Sequence, residues 1–188
     1  MKNNNFEVTP QLIPDILLIK PKLYFDKRGH FAESFNYKKY RAFLEKKNNF
    51  VQDNLSVSKK NVLRGLHYQI PPFSQSKLVQ VIEGKVLDVC VDIRKKSKTF
   101  GKYCSIILSG KTLEQLYIPK GFAHGFLVLS KTAIFSYKVD NFYSPKHDRG
   151  INYNDTKIGI DWLKNKKNFL ISKKDKSLPY LVDVKDFF

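Results

Sequence analysis

Residues 62–77 bring an arginine, a histidine and a lysine together in a short, strand-like run. The segment reads VLRGLHYQIPPFSQSK, and the three side chains are Arg64, His67 and Lys77. Such groups need a hydrogen-bond or charge partner when they are buried, so the run is poorly suited to core packing alone. The residue types instead favour a pocket for an anionic substrate that exchanges protons.

The spacing of Arg64 and His67 constrains the backbone that carries them. Side chains alternate between the two faces of a strand, so residues three apart point to opposite faces of a flat strand. Both can reach one site only where the strand deviates, and Gly65 lies between them. We therefore predict a bulge or twist at Gly65.

Short strand signals dominate the chain. The expected strands cover residues 15–20, 23–25, 31–35, 51–58, 62–69, 78–82, 86–93, 103–108, 115–118, 125–129 and 133–139. Apolar residues alternate with Asp88, Cys90 and Asp92 in residues 86–93, which predicts a half-buried strand. One clear helix is expected over residues 37–47, with Asn36 as its N-cap. The pattern predicts a mainly β, jelly-roll barrel with a few short helices, formed by residues 1–188 as a single domain.

Composition narrows the range of partners. The net charge is +17, and lysines form small clusters along the whole chain rather than one stripe. This distribution favours small polyanions such as phosphorylated metabolites over a nucleic acid. No apolar run could span a bilayer and no signal-peptide pattern opens the chain, so we expect a cytoplasmic protein with no membrane partner. Cys90 and Cys104 fit no metal-ligand spacing and are interpreted as small buried hydrophobic residues.

A second motif, IPKGFAHGF at residues 118–126, places His124 just after a tight turn. Together with G-x-H at residues 65–67, it resembles the two half-motifs of the cupin superfamily, small β-barrels whose mouth holds the site. Metal-binding cupins carry a second histidine and then a carboxylate in the first half-motif. Here Gln69 stands at the second histidine, no carboxylate follows at the expected spacing, and Lys77 nearby would repel a cation. We therefore expect no metal.

Nine short motifs follow one another over about residues 14–179. They are D-x-R-G-x-F-x-E-S-F at 26–35, V-Q-D-N-x-S at 51–56, L-R-G-L-H-Y-Q at 63–69, K-L-V at 77–79, D-V-x-V-D-I-R at 88–94, T-F-G at 99–101, I-P-x-G-F-A-H-G-F at 118–126, Y-S-P at 143–145 and Trp162. In this order and spacing, they resemble the dTDP-4-dehydrorhamnose 3,5-epimerase family. The resemblance implies a cofactor-free nucleotide-sugar epimerase of dTDP-rhamnose biosynthesis. It would invert C3 and C5 of dTDP-4-dehydro-6-deoxy-glucose to give dTDP-4-dehydro-rhamnose.

The same resemblance implies four catalytic residues. The protons at C3 and C5 flank the C4 ketone, so their removal gives an enolate, and inversion needs a base on one face and an acid on the other. His67 is the implied base, with Asp175 as the carboxylate that orients its ring. Tyr137 is the implied acid, and Lys77 is implied to stabilise the C4 oxyanion.

Substrate contacts are implied in the same way. Arg28 and Arg64 match positions that meet the pyrophosphate, and Tyr143 matches a position that could stack on the thymine. The other contacts implied for the nucleotide sugar are Lys77, Glu33, Gln52, Asp53, Asn54, His124, Asp148 and Lys174. The resemblance also implies a homodimer in which Arg28 and Glu33 reach the partner's site. His30 departs from the family's usual phenylalanine, which leaves the nucleotide preference open.

Two other functions are compatible with much of this pattern. A related cupin nucleotide-sugar enzyme could use the same base for a 3,4-ketoisomerisation or for epimerisation at a single carbon. A non-enzymatic basic cupin could simply bind polyanions. Tyr137 together with His67 favours two-faced proton exchange over the first alternative, and the second would need neither Lys77 nor Asp175.

Overall fold

The structure, a computed structural model, describes residues 5–44, 49–163 and 168–188. These ranges contain thirteen strands and three short helical segments. The strands are β1 Phe6–Pro10, β2 Leu17–Pro21, β3 Tyr24–Asp26, β4 Gly29–Phe31, β5 Gln52–Lys59, β6 Leu63–Gln69, β7 Lys77–Glu83, β8 Lys85–Asp92, β9 Tyr103–Ser109, β10 Gln115–Ile118, β11 Phe122–Val128, β12 Thr132–Val139 and β13 Asp148–Gly150. The helical segments are α1 Tyr37–Tyr40, α2 Lys173–Lys176 and a 3-10 turn at Leu181–Asp183. No helix in the described ranges is long and apolar enough to cross a membrane.

Two antiparallel sheets make up the body of the protein. The six-stranded sheet has the order β1-β2-β10-β7-β12-β5, and the five-stranded sheet has the order β13-β6-β11-β8-β9. Strands β3 and β4 form a separate hairpin. This arrangement confirms the prediction of a mainly β fold with a few short helices.

The main core lies between the sheets and joins residues from both. Val79 and Phe135 come from the six-stranded sheet, and Cys90 and Phe126 come from the five-stranded sheet. The rings of Phe126 and Phe135 stack with their centroids 4.2 Å apart. Contacts between inward-facing apolar side chains therefore hold the two sheets together.

A second apolar cluster makes β8 more buried than predicted. The prediction of a half-buried strand is wrong, because every residue of β8 after Lys85 is buried. Its outward side chains, including Val89, lie in an apolar cluster with Ile151 and Trp162 from the segment that follows β13. The alternate residues face inward, so Asp88 is completely buried. Cys90 and Cys104 are buried free thiols, as predicted.

The predicted helix over residues 37–47 is much shorter in the structure. Helix α1 ends at Tyr40, residues 41–44 form turns, and residues 45–48 lie outside the described residues. Asn36 is confirmed as the N-cap, since its side chain accepts a hydrogen bond from the Lys39 amide. Tyr40 packs on Phe6, and its hydroxyl donates a hydrogen bond to Gln115 Oε1 at 2.8 Å. Docking on the six-stranded sheet therefore shapes this segment more than helical periodicity does.

Candidate active site

Strand β6 carries a bulge at the glycine between Arg64 and His67. Arg64 lies opposite Phe126 of β11 and His67 lies opposite His124, so two residues of β6 face one residue of β11. Gly65 has φ of +110°, and a Cβ there would lie 2.6 Å from the Gly125 Cα. Only glycine fits this close approach. The predicted bulge is confirmed, and Arg64 and His67 line one cavity.

That cavity has a volume of about 650 Å³ and takes side chains from both sheets. His67 and His124 come from the five-stranded sheet, whereas Lys77 and Tyr137 come from the six-stranded sheet. Nine of the residues with an implied catalytic or substrate-binding role line the cavity, namely Arg64, His67, Lys77, His124, Tyr137, Tyr143, Asp148, Lys174 and Asp175.

His67 and Asp175 form a hydrogen-bonded pair on one wall. His67 Nε2 lies 2.9 Å from Asp175 Oδ1, and the Gly65 amide donates to Asp175 Oδ2 at 3.1 Å. Burial favours the neutral acid, but the hydrogen bonds from His67, Gly65 and Ser172 outweigh it and hold the pKa of Asp175 below its usual value. The ionised carboxylate accepts a hydrogen bond from Nε2–H, so Nδ1 is the ring nitrogen left available to act as a base.

Lys77 reaches across the cavity from β7. Its Nζ donates to the His67 carbonyl oxygen at 3.2 Å. Burial lowers the pKa of Lys77 to about 8, and Cys90, Asp148 and Asp88 partly oppose this effect. Lys77 is therefore predominantly an ammonium at neutral pH, in a poorly hydrated place where its charge acts strongly.

His124, which lines the cavity, forms a second buried pair with Asp88. His124 Nε2 lies 2.9 Å from Asp88 Oδ2, and the His124 ring stacks on Phe135. Burial lowers the pKa of His124 even though Asp88 favours the charged ring. A neutral His124 can therefore offer a fixed ring to a bound ligand without adding a second cation beside Lys77.

Tyr137 lies on the wall opposite His67, in β12. Burial raises the pKa of Tyr137, Arg64 opposes the shift, and Asp148 and Tyr143 add to it. Its hydroxyl is therefore protonated at neutral pH and able to donate a proton.

Charged and aromatic groups surround the mouth. Arg64 Nε donates to Ser58 Oγ at 3.1 Å, which fixes the guanidinium beside the cavity. Lys174 pairs with Asp148 Oδ2, and this hydrogen bond raises the pKa of Lys174. The Tyr143 hydroxyl donates to the same carboxylate at 3.3 Å. Arginine, lysine and an exposed tyrosine ring together suit a phosphorylated ligand that carries a planar base.

Five predicted substrate contacts do not line this cavity. Gln52 accepts from the Tyr143 amide at 3.1 Å and donates to Asn54, so both lie next to the mouth. Asp53 points to the outer face of β5 and pairs with Lys138. Glu33 pairs with Lys39.

Arg28 lies on the β3–β4 turn with its side chain 84% exposed, and it pairs with Asp26. The neighbouring His30 packs on the Phe25 ring. The structure thus brings together the residues of the barrel but leaves Arg28 and Glu33 outside the cavity of their own chain.

Sequence reasoning did not assign roles to three residues that support the site. Asp88 holds His124, Ser58 holds Arg64, and Ser172 accepts from the Asp175 amide at 3.0 Å. The alternation of apolar and polar residues in β8 would have pointed to a supporting role for Asp88 only if both faces of that strand had been expected to be buried. In the described part of the chain, no group of three or more His, Cys, Asp or Glu side chains is arranged to hold a metal ion.

Comparisons with known proteins identify the family. The model of the dTDP-4-dehydrorhamnose 3,5-epimerase family matches residues 10–183. A relative in Shigella flexneri with that name is 51% identical over 94% of this chain and 96% of its own length. The chain belongs to the dTDP-4-dehydrorhamnose 3,5-epimerase family.

Solved structures agree with the assignment. A dTDP-6-deoxy-D-glucose-3,5-epimerase from Legionella pneumophila, solved with dTDP-4-keto-L-rhamnose, has a TM-score of 0.92 and 45% identity, with 96% of this chain and 95% of that chain covered. The dTDP-4-dehydrorhamnose 3,5-epimerase from Bacillus anthracis, solved with TDP and PPi, has a TM-score of 0.88 and 42% identity, with 93% and 99% covered.

The fold is therefore that of the cupin-like epimerases, as predicted. The protein is a dTDP-4-dehydrorhamnose 3,5-epimerase, an isomerase of dTDP-rhamnose biosynthesis. This assignment favours the epimerase over both alternatives drawn from the sequence.

Proposed function

We propose that His67 is the general base of the epimerase and Tyr137 its general acid. The observation that carries this proposal is their position on opposite walls of one cavity, since His67 belongs to the five-stranded sheet and Tyr137 to the six-stranded sheet. A sugar ring between the walls would present one face to each group. Inversion of a carbon requires this two-sided arrangement.

The base acts through its unpaired ring nitrogen. Asp175 accepts a hydrogen bond from Nε2–H, so Nδ1 of His67 can take the proton from C3 or C5. The C–H electron pair then becomes part of an enolate whose charge lies on the C4 oxygen. The imidazolium is stabilised by the carboxylate behind it, as in other histidine–carboxylate pairs.

Lys77 stabilises the enolate. Its ammonium lies in the same cavity and is held by the His67 carbonyl, so it needs little rearrangement as the C4 oxygen becomes negative. Tyr137 then gives its hydroxyl proton to the carbon from the opposite face. Solvent reprotonates Tyr137 and removes the proton from His67, which closes the cycle for that carbon.

The mouth binds the nucleotide part of the substrate. Arg64 and Lys174 would meet the pyrophosphate, and the exposed ring of Tyr143 would stack on the thymine. Bound dTDP-4-keto-L-rhamnose in the Legionella relative and TDP in the Bacillus relative support a dTDP-sugar as ligand. His124, a buried residue of the cavity lining, would contact the sugar.

The working form is proposed to be a homodimer of single-domain chains. Exposed apolar side chains on the hairpin and on the edge strand β5 support this assembly, among them Phe25, Phe31, Leu55 and Val57. Arg28 lies on the tip of that hairpin, so a partner chain could receive it at the mouth of its cavity. The free thiols of the chain fit the reducing cytoplasm, where we place the enzyme.

Solvent exchange tests the base and acid assignments. The protein is incubated with dTDP-4-dehydro-6-deoxy-glucose in deuterated water, and deuterium at C3 and C5 is followed by NMR. We expect the wild type to label and invert both carbons and His67→Asn to label neither. Tyr137→Phe should slow inversion more than labelling, because the base can still remove and return a proton on its own face.

Other outcomes contradict specific parts of the proposal. Full labelling by His67→Asn would contradict the assignment of His67 as the base. Equal slowing of labelling and inversion in Tyr137→Phe would contradict the assignment of Tyr137 as the acid that acts on the second face of the sugar. The matched control is Tyr180→Phe, since Tyr180 does not line the cavity, and it should behave like the wild type.

A further inference from the structure

We infer that Gln69 is a positioning residue that fixes Tyr143 for nucleotide binding. The inference rests on the proposed role of Tyr143 against the thymine base. Gln69 is only 3% exposed and lies in β6, two residues after His67. The same strand would thus carry the base and set the geometry of the nucleotide site.

The Gln69 amide holds the loop on both sides of Tyr143. Its Nε2 donates to the carbonyl oxygens of Phe73 at 2.7 Å and Phe142 at 3.2 Å. Its Oε1 accepts from the Ser144 amide at 2.6 Å. One buried side chain therefore fixes the residue before Tyr143 and the residue after it.

Tyr143 is held at two further points. Its own amide donates to Gln52 Oε1, and its hydroxyl donates to Asp148 Oδ2. Asp148 is the register partner of Gln69 where β13 pairs with β6. The backbone of Gln69 thus pairs with the strand that carries Asp148, while its side chain fixes the position of the loop that carries Tyr143.

A glutamine suits this position for chemical reasons. The contacts require two donors and one acceptor at the end of one side chain, and the primary amide supplies both. A glutamate carboxylate would face two carbonyl oxygens without a proton to share. A neutral histidine would offer one donor and one acceptor, so the residue found at this place in metal-binding cupins could not make the same three bonds.

Steady-state kinetics of Gln69→Leu test the inference. The substitution removes all three hydrogen bonds and keeps a similar volume. We expect KM for the dTDP-sugar to rise about tenfold, because the freed loop no longer presents the Tyr143 ring, with kcat changed less than about twofold. Equal loss of kcat and kcat/KM would overturn the inference, since it would place Gln69 in the chemical step.

A matched control separates positioning from general stability. Gln80 is also buried, and its amide donates to the Leu113 carbonyl away from the cavity. Gln80→Leu should lower the melting temperature by an amount similar to that of Gln69→Leu but leave KM unchanged. A similar rise in KM in both variants would show that Gln69 acts only through stability.

A double-mutant cycle with Tyr143→Ala tests the route of the effect. If Gln69 acts through Tyr143, Gln69→Leu should not raise KM further in the Tyr143→Ala background. A full additional tenfold rise there would overturn the inference while leaving the nucleotide role of Tyr143 intact. No effect of Tyr143→Ala alone would instead overturn the proposed stacking.

Gln69→Glu provides a variant that keeps the shape of the side chain. Its carboxylate should repel the two carbonyl oxygens near pH 8, whereas the protonated acid can donate to one of them. We expect the rise in KM relative to wild type to shrink as the pH falls from about 8 to about 5.5. A rise in KM that is constant over this range would contradict the hydrogen-bonding role.

Discussion

The role proposed for His67 depends on a partner far away in the chain. Asp175 lies 108 residues downstream, yet it bonds both the His67 ring and the Gly65 amide next to it. The two bonds use both carboxylate oxygens and so fix the plane of the group. In the proposed mechanism, one residue thereby sets the tautomer of the base and anchors the backbone that carries it.

Replacing Asp175 by asparagine should slow catalysis more than binding. The amide NH₂ can face Nε2 and favour the tautomer in which Nδ1 is protonated and cannot act as a base. We expect kcat to fall by about 10²–10⁴-fold, with KM changed less than about threefold. Initial rates measure both, and Asp186→Asn, which alters an ion pair with Arg149 outside the cavity, is the control. Unchanged kcat in Asp175→Asn would contradict the role of the pair.

Lys77 should set the alkaline limb of the pH profile. Its pKa of about 8 means that the ammonium is present below that pH and lost above it. We expect kcat/KM, which reports the groups of the free enzyme, to decline above about pH 8, because the enolate loses its cation, whereas Tyr137 with its raised pKa stays protonated there. Lys77→Arg should move the decline to higher pH, since a guanidinium remains protonated. An alkaline decline at the same pH in the wild type and in Lys77→Arg would show that another group causes it.

At the scale of elements, the bulge in β6 does most to form the site. It turns Arg64 and His67 toward one cavity and directs the Gly65 amide to Asp175. Short α2 supplies that carboxylate, and its N-cap Ser172 holds the Asp175 amide. A regular strand would have kept the arginine and the histidine on opposite faces.

Gly65→Ala should damage both stability and activity. The added Cβ meets the Gly125 Cα at 2.6 Å and the His124 carbonyl oxygen at 2.7 Å, so strain and overpacking combine. We expect a loss of roughly 2–5 kcal/mol in the free energy of unfolding, measured in urea.

Gly159→Ala is the matched comparison for the bulge. It has a positive φ of +64° but only the Thr156 carbonyl oxygen nearby, at 3.7 Å. It should therefore cost only about 1 kcal/mol. Equal losses in the two variants would mean that close packing at the bulge contributes nothing.

At the scale of the molecule, the two sheets decide which groups face each other. The proposed base comes from one sheet and the proposed acid and the lysine from the other, so the relative position of the two sheets sets the width of the site. Arg28 remains outside, on an exposed hairpin with apolar side chains at Phe25 and Phe31. These features fit a site completed by a second chain.

Mixed dimers test whether Arg28 serves the partner's site. Combining His67→Asn chains with Arg28→Ala chains would give heterodimers that have one intact site and one doubly altered site. We expect recovery of about a quarter of wild-type activity after statistical exchange, because half of the dimers are mixed and half of their sites are intact. Rates are measured below KM after unfolding and refolding together. No recovery, with mixed dimers confirmed by mass spectrometry, would place Arg28 in its own chain's site.

Much of the fold followed from local signals. Alternating residues marked most strands, Asn36 marked a helix start, and the spacing of Arg64 and His67 required the bulge. The predicted length of α1 and the predicted half-burial of β8 were wrong, because both features depend on what packs against these elements. Tyr40 docks on a sheet, and the segment containing Ile151 and Trp162 covers β8.

The amino-acid sequence by itself determined the family, the reaction and the identity of the chemical groups in residues 62–77. Only the tertiary structure decided how those groups meet. It paired His67 with Asp175, lowered the pKa of Lys77 by burial and committed Gln69 to the loop around Tyr143. The physical reason is that residue types and spacing are local, whereas hydrogen-bond partners, dehydration and opposite walls of a cavity arise from contacts between distant parts of the chain.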